Sequence, residues 1–240
     1  MRKVLLNILA VMVFTACSSG ANSRDTNATP TSETSESYIA LRRYPALNPK
    51  DAFFAFAKLS RENVNRLVEN YLYFFNRDNR PANEFERRRI HSETEETIRN
   101  GIEKATDIIA KTYSVSFIRE LRNYDFNRGG FFVDDMRRAS LVSAHIRGTP
   151  TSFILMFSNP VRFFSVDEER ASQFVKRSYD RRVIIDIDYV IINSAGRGSN
   201  IDRVGNPTEE LGLVARILRM TVYERDQNGN RGEVLADVIK

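Results

Sequence analysis

Hydrophobic positions follow two different periods along this chain, and the change from one to the other sets the expected architecture. Between residues 48 and 113 the apolar residues recur every three or four positions, as they do on one face of a helix. "NPKD" at 48–51 supplies an Asn N-cap, Pro at the first helical position and an early acid. Phe53, Phe56, Val64, Leu67, Tyr71 and Phe74 then continue the stripe, interrupted at Ser60, and predict a helix over about 50–76. "SETE" at 92–95 fits a capping box, and Ile98, Ile102, Ala105, Ile108 and Ile109 give the buried face of the next helix. Gly101 falls inside that pattern, where glycine costs about 1 kcal/mol relative to Ala.

From about residue 114 the period is two. "TSFILMFSNP" reads as a strand closed by an Asn-Pro turn, "VDEERASQFVKRS" as a short helix begun by acids, and "RRVIIDIDYVIINS" as a long strand. "LGLVARILRMTVYERD" and "EVLADVIK" are two further strands joined around "QNGN", a hairpin signal. Gly129 and Gly130 in "NYDFNRGGFFVDD" mark a turn. The expected fold is α+β: N-terminal helices (about 48–113) followed by a largely antiparallel sheet (about 114–240) that ends in a β-meander, all in one domain over 48–240.

The residues before 48 obey neither period. Arg2 and Lys3 precede the apolar stretch Val4–Phe14, and small residues follow in "FTACSSG" at 14–20, the plan of a secretory signal. The stretch is too short for a membrane span, which needs about 20 predominantly apolar residues. Thr15, Ala16 and Cys17 resemble the lipobox of bacterial lipoprotein precursors, with Phe14 where that family usually has Leu. The resemblance implies removal of a signal peptide over 1–16 and lipid attachment at Cys17. It also implies retention on the periplasmic side of the outer membrane, since Ser18 rather than Asp follows the cysteine. The plainer alternative is an ordinary cleaved signal with an incidental cysteine. Cys17 is the only cysteine, so an exported chain forms no intramolecular disulfide and the residue needs another purpose. Residues 18–37 contain no large apolar side chain and read as a polar tether, within a segment 17–47 that joins the anchor to the fold. As a flexible coil, such a tether spans roughly 25 Å.

Charge and composition add mainly exclusions. The chain is 42% hydrophobic and 28% charged, ordinary for a globular protein. Without Arg2 and Lys3, 34 basic and 31 acidic residues remain, too small a surplus to argue for nucleic acid. Arg outnumbers Lys by 29 to 7, a bias that suits bidentate pairing with carboxylate or phosphate but that genome composition also produces. Arg77, Arg80, Arg87, Arg88 and Arg89 are matched by six acids between 77 and 96, so a mixed, solvated helix surface is expected there rather than a basic patch.

Candidate chemistry is sparse. His91 and Glu95 have the i, i+4 spacing of a metal pair, yet no third ligand or HExxH or CxxC pattern accompanies them, so His91 reads as a solvated helix residue and no metal or other cofactor is expected. His145 lies in an expected strand with no serine elbow to serve, and "GRGSN" at 196–200 reads as a plain turn. Asp186 and Asp188 point to one face of their strand together with Arg182. They are the least implausible carboxylate pair for a hydrolase, but an ion pair with Arg216 or Arg219 of the neighbouring strand, worth roughly 0.2 to 1 kcal/mol, is the expected role. "YDFNRGGF", "FSNP" and the Arg-ended helix before "RRVIIDID" are similar to domains of uncharacterised exported bacterial proteins, over about 115–240; that resemblance carries no functional residue. Two readings follow. The first is a non-catalytic, lipid-anchored envelope module that binds another envelope protein or a cell-wall component. The alternative is a lipid-tethered hydrolase using Asp186 and Asp188.

Overall fold

The computed structural model describes residues 43–75, 81–134, 136–146, 149–178, 180–201 and 207–240. The expected signal segment, Cys17 and the expected polar tether lie outside the described residues.

Helix α1 (Pro49–Ser60) starts where the sequence places it: the Asn48 side chain accepts a hydrogen bond from the Asp51 backbone N–H at 2.9 Å, and Pro49 occupies the first turn. It ends at Arg61, whose φ of 55° is left-handed, and α2 (Val64–Phe75) begins after Asn63 caps the N–H of Asn65. The single helix expected over 50–76 is therefore two. The apolar stripe continues through both because Phe53, Phe56, Leu67 and Tyr71 all enter one core, a pattern that cannot register a change of axis between them.

Helix α3 (Glu84–Ala110) is unbroken and starts eight residues before the expected capping box. Its N-cap is Asn83, which accepts from the Glu86 N–H at 2.9 Å while the Glu86 carboxylate accepts from the Ala82 N–H at 2.7 Å. Ser92–Glu95 lies in the helix interior. Gly101 does not interrupt the helix; a Cβ there would overlap the Phe54 ring of α1, so the glycine lets the two helices approach.

The sheet has the order β1-β6-β7-β4-β3, formed by β1 (Thr112–Glu120), β3 (Arg138–Ile146), β4 (Thr149–Phe157), β6 (Arg182–Ile201) and β7 (Pro207–Arg225), with β8 (Arg231–Ile239) also paired to β7. All pairs are antiparallel except β4 with β7. One edge of β7 is thus shared: Glu209–Ala215 pairs with β4, and Arg219–Arg225 with β8. The last three strands form the expected meander. "GRGSN" is not a turn: it lies within β6, where register shifts bend the strand and Gly196 takes a φ of 77°. A second, two-stranded sheet pairs β2 (Gly130–Phe132) with β5 (Phe163–Ser165), and α4 (Glu168–Arg177) follows, capped by Asp167.

Val183, Ile185, Ile187, Tyr189 and Ile191 line the buried face of β6 and share one apolar cluster with Phe53 and Phe56 of α1 and Ile98 of α3. The α+β architecture with α1, α2 and α3 before the main sheet follows from this packing: the helical stripe and the alternating strand face close on each other. The opposite face of the sheet carries the alternate residues, Asp186 and Asp188 among them.

Candidate functional site

On that opposite face Asp186 stands between Ser116 of β1 and Thr221 of β7, and Asp188 between Ser114 and Arg219. Neither acid is free. Arg231, at the start of β8, donates to both oxygens of Asp186, from Nε at 3.1 Å and Nη2 at 2.9 Å, and Nη2 also reaches Ser116 Oγ at 3.2 Å. The pair is buried, with side-chain exposures of 5% for Arg231 and 11% for Asp186. Ser114 Oγ donates to Asp188 Oδ1 at 2.5 Å and is itself fixed by the Tyr44 N–H at 3.2 Å. Arg219 opposes Asp188 in register but grips Asp237, and the hydrogen bond from Arg219 holds the Asp237 carboxyl below its ordinary range. The partner of Asp186 is therefore Arg231, not Arg216 or Arg219. A cavity of about 180 Å³ remains between Arg43, Asp186, Asp188, Arg219, Thr221 and Tyr223. Both Asp186 oxygens are thus held by a guanidinium, and one oxygen of Asp188 by the Ser114 hydroxyl.

The remaining sequence candidates are dispersed. His91 is partly exposed on α3, and its i+4 neighbour Glu95 accepts from Arg99 at 2.7 Å and 3.0 Å. Among the described residues no group of three or more His, Cys, Asp or Glu is placed to hold a metal ion. His145 lies in β3, as expected. Arg87, Arg88 and Arg89 are exposed, and Arg89 pairs with Glu93 at 2.6 Å, in keeping with a mixed surface; Arg77 and Arg80 lie outside the described residues. Arg197, from the supposed turn, is bound by Glu62 and Glu209 and lies over the Tyr71 ring, whose hydroxyl donates to Glu209 at 3.0 Å. Burial first, and then the Glu209 charge, push the Tyr71 hydroxyl far above its ordinary value.

A different region offers open space. The Asp125 carboxylate accepts from the N–H groups of Asn127 and Arg128 at 3.0 and 3.1 Å, and Gly129 completes the turn at a φ of 66°. Gly130 lies where any Cβ would overlap the Phe164 carbonyl, which presses the turn against β5. The turn lifts Phe126 into solvent, 74% exposed, with its ring edge-on to Tyr124 at 5.1 Å. Tyr124 is fixed from behind: its hydroxyl donates to the Val166 carbonyl at 2.8 Å, and its ring meets the buried Phe131 at 5.2 Å.

Between this pair and α4 runs a groove of about 630 Å³, with Tyr124, Phe126, Ala171 and Val175 supplying its apolar surface. Arg181 closes one end. It holds a left-handed φ of 50°, its carbonyl accepts from the Leu121 N–H at 3.0 Å, and its guanidinium donates to Asn123 Oδ1. A non-glycine residue in that conformation is uncommon. Among the described residues neither Arg181 nor Lys176 forms an ion pair with a carboxylate. Arg128, on the far side of Tyr124, stacks over Phe132 at 5.0 Å and Phe163 at 4.4 Å. The turn and the short helix are each legible in the sequence. Their meeting is not, because no periodicity links residues 121–126 to residues 168–181.

Residues 64–177 match a family described as Domain of unknown function (DUF4852). The match covers both walls of the groove, the turn and α4, and stops before β6, so it overlaps the expected 115–240 only as far as residue 177. No curated protein and no solved structure matches the chain.

Proposed function

We propose that the protein is a lipid-anchored binding or assembly module on the periplasmic side of the bacterial outer membrane, and that it performs no catalysis of its own. The address rests on Thr15, Ala16 and Cys17 after an apolar segment too short to span a bilayer. Among the described residues no helix is long and apolar enough to cross a membrane. The observation that carries the binding role is the groove beside Phe126. A rigidly backed tyrosine and a solvent-exposed phenylalanine flank a concave apolar surface, the kind of anchor point that dominates protein recognition. Weighing against the hydrolase alternative, Arg231 holds both oxygens of Asp186 and Ser114 holds one oxygen of Asp188.

Another envelope protein or a cell-wall component is the partner class. A photo-crosslinking residue placed at position 126 of the full chain, in living bacteria, tests the reading. Position 85 is the control, since Phe85 on α3 is 75% exposed and lies away from the groove. A discrete adduct from position 126 and none from 85 is expected. No adduct from 126, or the same diffuse products from both positions, would contradict it.

A further inference from the structure

The groove is directional along α4, and this suggests the chemistry of what it holds. Glu168, Ala171, Ser172, Val175 and Lys176 line it at the spacing i, i+3, i+4, i+7, i+8 of one helix face. An acid thus stands at its N-terminal end, apolar and small residues in the middle, and a cation at its C-terminal end. Arg181 adds a second cation, held there by its left-handed backbone. Eight residues of helix rise about 12 Å, the length of three or four residues of extended chain at about 3.3 Å each. Glu168, like Lys176 and Arg181, forms no ion pair among the described residues, so neither end is neutralised from within.

We propose, on the basis of the binding role above, that the groove takes an extended segment of a partner protein, three or four residues long. The segment carries one large apolar side chain between a basic residue and an acidic one. The apolar side chain lies on Ala171 and Val175 against Phe126, the acid meets Lys176 and Arg181, and the base or a free amine meets Glu168. A glycan fits less well: sugars present hydroxyls along their length, and the middle of the groove offers few partners for them.

Panning a random-heptapeptide display library on the full chain in detergent tests this. The expected result is a consensus with one aromatic or branched aliphatic residue flanked by opposite charges. A synthetic peptide of that sequence should lose at least tenfold in affinity against Phe126→Ala and against Lys176→Glu, and exchanging its acid for lysine should restore binding to Lys176→Glu. Circular dichroism of each variant establishes that it is folded. Absence of a consensus, a consensus without an apolar residue, or affinity unchanged in Phe126→Ala would overturn the proposal, as would displacement of the peptide by purified muropeptides, which would assign the groove to the cell wall. If the peptides fail while position 126 still crosslinks, the occupant is wrong and the binding role stands; if both fail, both fall.

Discussion

Arg231 and Asp186 show how burial changes the worth of a single contact. A cross-strand ion pair on an exposed sheet contributes roughly 0.2 to 1 kcal/mol, but at 5% and 11% exposure the loss of one partner strands a charge out of water. Arg231→Met should therefore destabilise the protein by about 3 to 5 kcal/mol in urea unfolding, and the double change Asp186→Leu with Arg231→Met by clearly less. A smaller loss in the single variant than in the double one would contradict the burial argument. The presence of an arginine partner for Asp186 was legible from the strand pattern; its identity was not, because Arg231 arrives across the turn that joins β7 to β8, where the pairing register shifts. Tyr113 carries a pH dependence. Its hydroxyl donates to the Ile108 carbonyl at 2.9 Å, and burial, with the nearby Asp51 charge, pushes it up from 10.0 to about 12. A folded value above the unfolded one means stabilisation that is complete below pH 10 and is lost as pH rises through 12. Tyr113→Phe should flatten the fall in Tm over that interval, while costing about 0.5 to 1.5 kcal/mol at neutral pH through the lost hydrogen bond.

Between elements, the contact of α1 with α3 turns on Gly101. Helix propensity alone says that Gly101→Ala should stabilise by about 1 kcal/mol. The Phe54 ring occupies the space a methyl group would need, and that ring is stacked on Phe75 and set edge-on to Phe53. Overpacking of about 1 to 3 kcal/mol should win, so the Tm of Gly101→Ala falls, and in a Phe54→Ala background the same change becomes neutral or stabilising. A higher Tm for Gly101→Ala alone would show that the ring moves aside freely. Periodicity located the helices, the long strands and the closing meander, since each follows from which residues must leave water. It missed the break at Arg61, because both helices feed one core, and it missed Asn83 as the start of α3, because Ser92 and Glu95 satisfy the same local rule without being needed for it.

At the scale of the molecule, the two faces of the main sheet differ in kind: one is closed by helices, the other held by the Asp186–Arg231 and Arg219–Asp237 pairs. The chain enters the fold beside that polar face, where the Pro45 carbonyl accepts from the Ser114 N–H and the Tyr44 N–H reaches Ser114 Oγ. The open groove is built elsewhere, by the turn around Asp125 and by α4. A tether ending at the first of these regions would leave the second available to a partner, and this arrangement suits an anchored module. The expectation of an anchor rests on seven contiguous residues, because a lipid attachment signal is local chemistry, whereas the groove, made by packing distant segments, was legible in none. Mass spectrometry of the N-terminus of the full chain, purified from a bacterial envelope, reads the proposed anchor itself. The first residue is expected to be Cys17, bearing a diacylglycerol group on sulfur and an acyl chain on the amine; an unmodified Cys17, or a mature chain beginning at any other residue, would rule out the lipid anchor.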